Sequence, residues 1–325
     1  MCIPIYRALG RAVELPGFKG TGLLLKMMLC LHFRFSPMPF YPRREFTLSF
    51  ELFPPKTPAG EEAMYASVAE LMAFGPDVIT CTYGAGGSTR DKTLEITEQV
   101  KRRFGVRVAS HLTCVGSTVE QLRTYLQEAR ARGVNNIVAL RGDPPKGEAA
   151  FTPVDGGLRY AAELVQLIKG EFPNFGLAVA GYPETHQEAV SPQADLENLS
   201  RKVAAGGDVV ITQLFYDNAD FFRFRDSCAA LGISVPIVPG ILPVTNLSQI
   251  QRITSLCKAR LPQQFVEELS RKDDPQWQFE RGIAYAANQV QELIDAGVPG
   301  IHFYVLNKSQ ATGAVLRAVK RPAGS

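Results

Sequence analysis

Eight strand-like apolar runs, each followed by a helix-like stretch, constrain this chain more than any other feature. The runs fall at 46–53, 77–82, 106–112, 136–141, 175–181, 208–215, 235–241 and 300–306. Helix-like stretches follow at 60–75, 91–104, 118–132, 157–171, 192–206, 218–231 and 246–258; a longer insertion spans 262–296 and a last helix covers about 309–319. Near-continuous runs such as Val209-Val210-Ile211 suit strands buried on both faces. Alternating strands and helices predict a parallel sheet. Eight repeats over roughly 280 residues match the (β/α)₈ TIM barrel, an α/β fold of about 250 residues. The competing arrangement is a doubly wound open sheet. The expected organisation is an N-terminal extension over 1–44 and one barrel domain over 45–325.

The charge separates along the same boundary. Residues 1–44 carry seven of the 35 Lys/Arg and one of the 32 acids, leaving 28 basic and 31 acidic residues for the body. The basic character therefore belongs to the leader and argues against a nucleic-acid surface. The apolar run Thr21–Phe33 is too short to span a bilayer and Lys26 interrupts it. The leader reads as a transit peptide or as an untidy extension before a start at Met38. The six cysteines form no C-x-x-C pair, a pattern that predicts a reducing cytoplasm and no structural zinc.

Active sites of this barrel lie at the C-terminal strand ends, and polar groups gather there. Glu51 stands near the end of the first strand, just before Pro54-Pro55, which cannot continue a ladder. Among Phe50, Leu52 and Phe53 its carboxyl is expected to be desolvated and raised, a general acid; the alternative is a Glu on the solvated face of an edge strand. The other ends offer Thr82-Tyr83-Gly84-Ala85, His111, Arg141-Gly142-Asp143, Tyr182 with His186, Gln213, and Tyr304 with Asn307 and Lys308. His111 and His186 lack the spacing of a zinc site. No G-x-S-x-G appears, and Gly84-Ala85-Gly86-Gly87 lacks the third glycine of a Rossmann turn. Asp195, Asn198, Arg201 and Lys202 share one helix face, which suits a diphosphate or plain solvation. Tyr83, Tyr182 and Tyr304 suggest a planar ligand. Arg141 and Asp143 are close enough to hold each other ionised, either reading a heterocycle's N–H edge or only ordering their loop.

Ser49-Phe50-Glu51-Leu52-Phe53-Pro54-Pro55, Thr82-Tyr83-Gly84-Ala85, His111-Leu112-Thr113-Cys114, Ala139-Leu140-Arg141-Gly142-Asp143, Tyr182-Pro183-Glu184-Thr185-His186, Thr212-Gln213-Leu214-Phe215-Tyr216-Asp217 and Pro239-Gly240-Ile241-Leu242-Pro243 together resemble the methylenetetrahydrofolate reductase family, in order over about 45–320. The resemblance implies a barrel with noncovalent FAD, a reduced nicotinamide (NADH or NADPH) as donor, and 5,10-methylenetetrahydrofolate as acceptor. It implies Glu51 as the acid that protonates folate N10 and Asp143 as the aspartate between flavin and folate. It implies Thr82, Tyr83, Ala85, His111, Arg141, Gly142, Asp143, Tyr160, Ala161, Tyr182, His186, Asp195, Asn198, Arg201 and Lys202 as flavin contacts, and Gln213, Gln249 and Lys308 on the folate side. Lys308 stands where an arginine is expected in bacterial relatives, so it would meet a glutamyl carboxylate as a point charge. The loop 144–156 is longer than in the bacterial comparison. The ending near 325 resembles the bacterial form, without an S-adenosylmethionine-binding regulatory region. A homo-oligomer is the expected assembly, with neither nucleic acid nor membrane as partner. The readings from another class are a barrel hydrolase or lyase without flavin and a non-catalytic ligand-binding barrel.

Overall fold

A computed structural model describes residues 40–41, 46–83, 90–144, 147 and 150–322. The strands are β1 (Thr47–Leu52), β2 (Val78–Cys81), β3 (Arg107–Thr113), β4 (Asn136–Leu140), β5 (Gly176–Gly181), β6 (Val209–Thr212), β7 (Ile237–Val238), β8 (Gly240–Ile241) and β9 (Gly300–Tyr304). All pair in parallel, in the order β7-β6-β5-β4-β3-β2-β1-β9-β8. The helices are α1 (Pro58–Leu71), α2 (Arg90–Phe104), α3 (Val119–Ala131), α4 (Ala161–Glu171), α5 (Pro192–Ala204), α6 (Asn218–Ala230), α7 (Leu247–Cys257), α8 (Gln263–Ser270), α9 (Pro275–Asp295) and α10 (Gln310–Ala318). This is the (β/α)₈ barrel, and the open sheet is set aside.

The ninth strand label comes from one proline. Pro239 has no N–H, so the seventh barrel strand breaks there. Its first piece, β7, pairs with β6, and its second, β8, pairs with β9. The His302 N–H donates to the Pro239 carbonyl at 2.9 Å, which carries the closure across the break. The expected insertion at 262–296 is two helices, α8 and α9.

Strand side chains alternate between two buried environments, as a barrel surrounded by helices requires. Ile79, Cys81, Leu177, Val179 and Val210 pack outward into the layer of helices. Val78, Ala109, Val138, Ala178, Val209, Ile211 and Val238 form a second cluster inside the barrel. Phe40 and Tyr41, from before β1, complete that inner cluster. The Asn136 side-chain amide donates to the Phe40 carbonyl at 3.1 Å, and a Cβ on Gly176 would lie 2.7 Å from the Phe40 Cα. The floor is therefore filled, and the cavity of the barrel opens toward the other end.

Helix starts follow local chemistry. Thr57 caps α1 ahead of Pro58, and Ser191 caps α5 ahead of Pro192, each side chain accepting a backbone N–H. Thr118 and Gln121 form a reciprocal capping box at α3. Among the described residues, no helix is long and apolar enough to cross a membrane.

Candidate active site

β1 reads Thr-Leu-Ser-Phe-Glu-Leu, and its period of two decides which groups reach the interior. Leu48, Phe50 and Leu52 join the outer core. Ser49 and Glu51 therefore face inward. After Leu52 the two prolines end the ladder, and Asn307 replaces it. Its Oδ1 accepts the Phe53 N–H at 3.0 Å and its Nδ2 donates to the Phe53 carbonyl at 2.8 Å. Leu306 and Asn307 are both left-handed, with φ of 47° and 56°. A leucine there is strained, and the strain sits beside the end of the strand that carries Glu51.

A cavity of about 910 Å³ opens at the C-terminal strand ends. Glu51, His111, His302 and Tyr304 line it from β1, β3 and β9. The Glu51 carboxylate meets two imidazoles through the same oxygen. His111 Nε2 lies 3.2 Å and His302 Nε2 3.5 Å from Oε2. Burial pushes this carboxyl up, but the His111 charge and hydrogen bond, followed by those of His302, outweigh it and hold the group at about 2. This corrects the expectation of a raised carboxyl. Desolvation alone was legible from the apolar neighbours in sequence; the two imidazoles come from strands remote from β1 in the chain.

Arg141, Gly142 and Asp143 line the cavity beyond β4. The ion-pair partner of Arg141 is Glu188, not Asp143. Its two Nη atoms bond the two Glu188 oxygens at 2.6 and 2.7 Å, and its guanidinium lies over the Phe151 ring. The hydrogen bond to Glu188 raises the Arg141 pKa, with the Asp143 charge a minor contributor. Gly142 has a φ of 89°, and a Cβ there would lie 2.7 Å from Val115 Cγ1. Tyr182 and His186 meet edge to face, with centroids 4.6 Å apart. Burial first, then the Arg141 charge, lowers the His186 pKa.

The expected α5 face does turn into the cavity: Asp195, Asn198, Arg201 and Lys202 all line it. Asp195 accepts the His186 N–H at 2.8 Å, and Arg201 donates to Asn198 at 2.7 Å. Lys202 donates to the Ala180 carbonyl at 2.5 Å. Burial lowers its pKa to about 8, against the opposing pull of Asp195. A buried ammonium held by one carbonyl is a place where an anionic ligand gains.

Thr82, Tyr83, Tyr160, Ala161 and Gln213 also line the cavity. Tyr160 is 57% exposed, and Tyr83 is buried with its hydroxyl donating to the Thr113 carbonyl at 3.3 Å. Gln249 and Lys308 are not among the lining residues: Gln249 accepts from the Thr245 hydroxyl at 3.2 Å near the start of α7, and Lys308 is exposed after β9. Ala85 lies outside the described residues. Glu188 and His302 escaped the sequence reading. His302 and Tyr304 share a period of two on β9, as Ser49 and Glu51 do on β1, and that repeat was the available signal. Among the described residues, no three His, Cys, Asp or Glu side chains are disposed to hold a metal ion.

A parallel barrel with an acid–imidazole cluster and a cationic helix face at one rim defines a ligand-binding α/β barrel of enzyme type. The Methylenetetrahydrofolate reductase family profile matches residues 40–320, and the chain belongs to that family. It is 42% identical over 271 residues to 5,10-methylenetetrahydrofolate reductase of Pectobacterium carotovorum subsp. carotovorum, covering 82% of this chain and 88% of that one. It is 39% identical over 272 residues to the protein of that name from Escherichia coli (strain K12), covering 83% and 90%. Methylenetetrahydrofolate reductase (NADH) 1 of Zea mays is 38% identical over 279 residues, covering 82% of this chain. The chain spans about half the length of that maize relative and of its Arabidopsis thaliana counterpart, 47% in each case. Among solved structures, an uncharacterized protein from Clostridium thermocellum that binds two copies of 5-methyl-5,6,7,8-tetrahydrofolic acid superposes with a TM-score of 0.56 at 12% identity, over 85% of this chain and 94% of that one. That likeness bears on the fold alone.

Proposed function

We propose that this barrel reduces 5,10-methylenetetrahydrofolate to 5-methyltetrahydrofolate with NADH as donor and noncovalent FAD as the relay. The observation that carries the reading is the pairing of two unlike features in one cavity. A proton-handling cluster, Glu51 with His111 and His302, stands at one side, and a cationic helix face, Arg201 and Lys202, at the other. Family membership supplies the reaction, and the maize relative carries NADH in its name.

The residues fit a flavin dinucleotide. The cavity of about 910 Å³ falls within the roughly 300–1,000 Å³ of small-molecule sites. Lys202 and Arg201 would hold the diphosphate, with Asn198 and Asp195 beside them. Tyr182, His186, Arg141, Gly142 and Asp143 would hold the ring system, with Thr82, Tyr83, Ala85, His111, Tyr160 and Ala161 as further contacts. FAD when bound supplies hydride transfer between nicotinamide and folate. The protein's own part is placement and proton supply. Glu51 would pass a proton at the barrel mouth, where folate N10 must gain one as its bond to the bridging methylene opens. Gln213 and Asp143 would orient the pterin. Gln249 and Lys308 lie outside the cavity lining and would meet the more distant parts of the folate.

The test is spectroscopic. Purified protein incubated with FAD is expected to retain a bound flavin band through desalting, to lose it anaerobically with NADH, and to regain it on adding methylenetetrahydrofolate. Protein that binds no FAD, or whose reduced flavin is indifferent to the folate, would refute the reading.

A further inference from the structure

Glu188 lines the cavity beside two residues of the flavin group and bonds both of them. Its carboxylate takes the Arg141 guanidinium fork to fork, at 2.6 and 2.7 Å. Its backbone N–H donates to His186 Nδ1 at 3.1 Å. One residue of the loop after β5 thus fixes a cation from the end of β4 and an imidazole from its own loop.

That loop is held rigidly. Thr185 is left-handed, with φ of 73°, and its N–H donates to the Tyr182 carbonyl at 3.1 Å. A β-branched residue in that region is strained, and such strain persists only where the surroundings enforce it. Before Thr185, both Glu184 carboxylate oxygens accept the Arg260 N–H, at 3.0 and 3.2 Å. After it, the His186 N–H donates to Asp195 on α5 at 2.8 Å. The turn is tied on both sides, and Glu188 follows it from a fixed place.

These bonds decide which donors remain. A guanidinium has five N–H groups. Arg141 Nε donates to the Gly142 carbonyl at 3.1 Å, and one N–H of each Nη goes to Glu188, which leaves two. The Phe151 ring, its centroid 5.1 Å from the guanidinium carbon, steadies the plane. Burial and the Arg141 charge lower the His186 pKa, so its ring is neutral at neutral pH. Because Nδ1 accepts from Glu188, the ring proton sits on Nε2. The Glu188 carboxylate also cancels the Arg141 charge. Both side chains are therefore donors with little net charge, whereas Arg201 and Lys202 bring positive charge to the cavity from α5.

We infer that Glu188 is a positioning residue for the flavin: it presets Arg141 and His186 as donors to uncharged acceptor atoms of the ring system, and leaves the diphosphate to Arg201 and Lys202. The assignment rests on the proposed binding of FAD. A free arginine gives up rotamer freedom when it meets a ligand. Arg141, gripped by a bidentate carboxylate and a ring, has given it up beforehand. The pair itself is partly exposed, 23% at Arg141 and 37% at Glu188, and such pairs contribute little to the stability of a fold.

The experiment titrates the full-length apoprotein with FAD at low and at high salt, following the visible flavin band. Glu188→Gln is expected to weaken FAD binding about 2–10-fold at high salt. Its affinity should also fall more steeply with salt than the wild type's, because Arg141 then adds an uncancelled charge near an anionic ligand. In an R141K background, where no fork can form, the same substitution should cost less than about twofold. The urea midpoint of the apoprotein should not move. The ¹⁵N signals of His186 should report an Nε2–H tautomer in the wild type and in Glu188→Gln, which keeps the backbone bond. Unchanged or tighter binding at high salt, an equal loss in the R141K background, a loss matched by a lower urea midpoint, or a His186 proton on Nδ1 would overturn the inference. A wild-type protein that binds no FAD would refute the proposed function itself, whereas wild-type binding with an indifferent Glu188→Gln overturns this inference alone.

Discussion

Glu51 shows how a single group is governed by competing terms. Burial favours its neutral form, yet two imidazoles on one oxygen hold it down at about 2. A carboxylate held ionised must take up a proton before it can serve as an acid. Glu51→Gln should therefore slow the folate half-reaction by roughly 10²–10⁴-fold while NADH still bleaches the flavin; stopped-flow spectra of the two steps check this. That a carboxylate stands at the end of the first strand was legible from Ser49-Phe50-Glu51 and the prolines after it. Its protonation was not, because His111 and His302 lie about 60 and 250 residues away in sequence. The same reason hid Glu188, which takes Arg141 away from the nearby Asp143.

At the scale of elements, the helices were read as the stretches between strand-like runs, and α5 turns its polar face into the cavity. The insertion did something sequence pattern alone does not reveal. α9 lies against the loop after β8: Gln278 accepts the Leu247 N–H at 3.0 Å, and a Cβ on Gly282 would fall 1.9 Å from the Val244 carbonyl. The missing side chain at 282 is what lets the two backbones approach. Gly282→Ala is expected to destabilise the fold by about 1–3 kcal/mol through overpacking, seen as a lower urea midpoint with an unchanged m-value. The break at Pro239 was visible as a proline within a strand run. That its two halves would serve two different neighbours depends on where β6 and β9 stand.

For the whole molecule, closure of the barrel matters twice: it brings β9 beside β1, and it leaves a floor to be filled. Phe40, 1% exposed, does the filling together with Tyr41. Phe40→Ala should cost about 3–5 kcal/mol, measurable by denaturant titration, and should loosen the segment that carries Tyr41 toward Ser49. The strand count, the helix order and the rim on which polar groups gather followed from the order of residues, because the period and alternation of apolar runs are local properties of a chain. Which rim groups touch was decided only when the sheet closed. Closure sets Ser49 beside His302 and brings Glu51 between two imidazoles, and electrostatics between such groups depends on distances of a few ångströms that no spacing along the chain encodes.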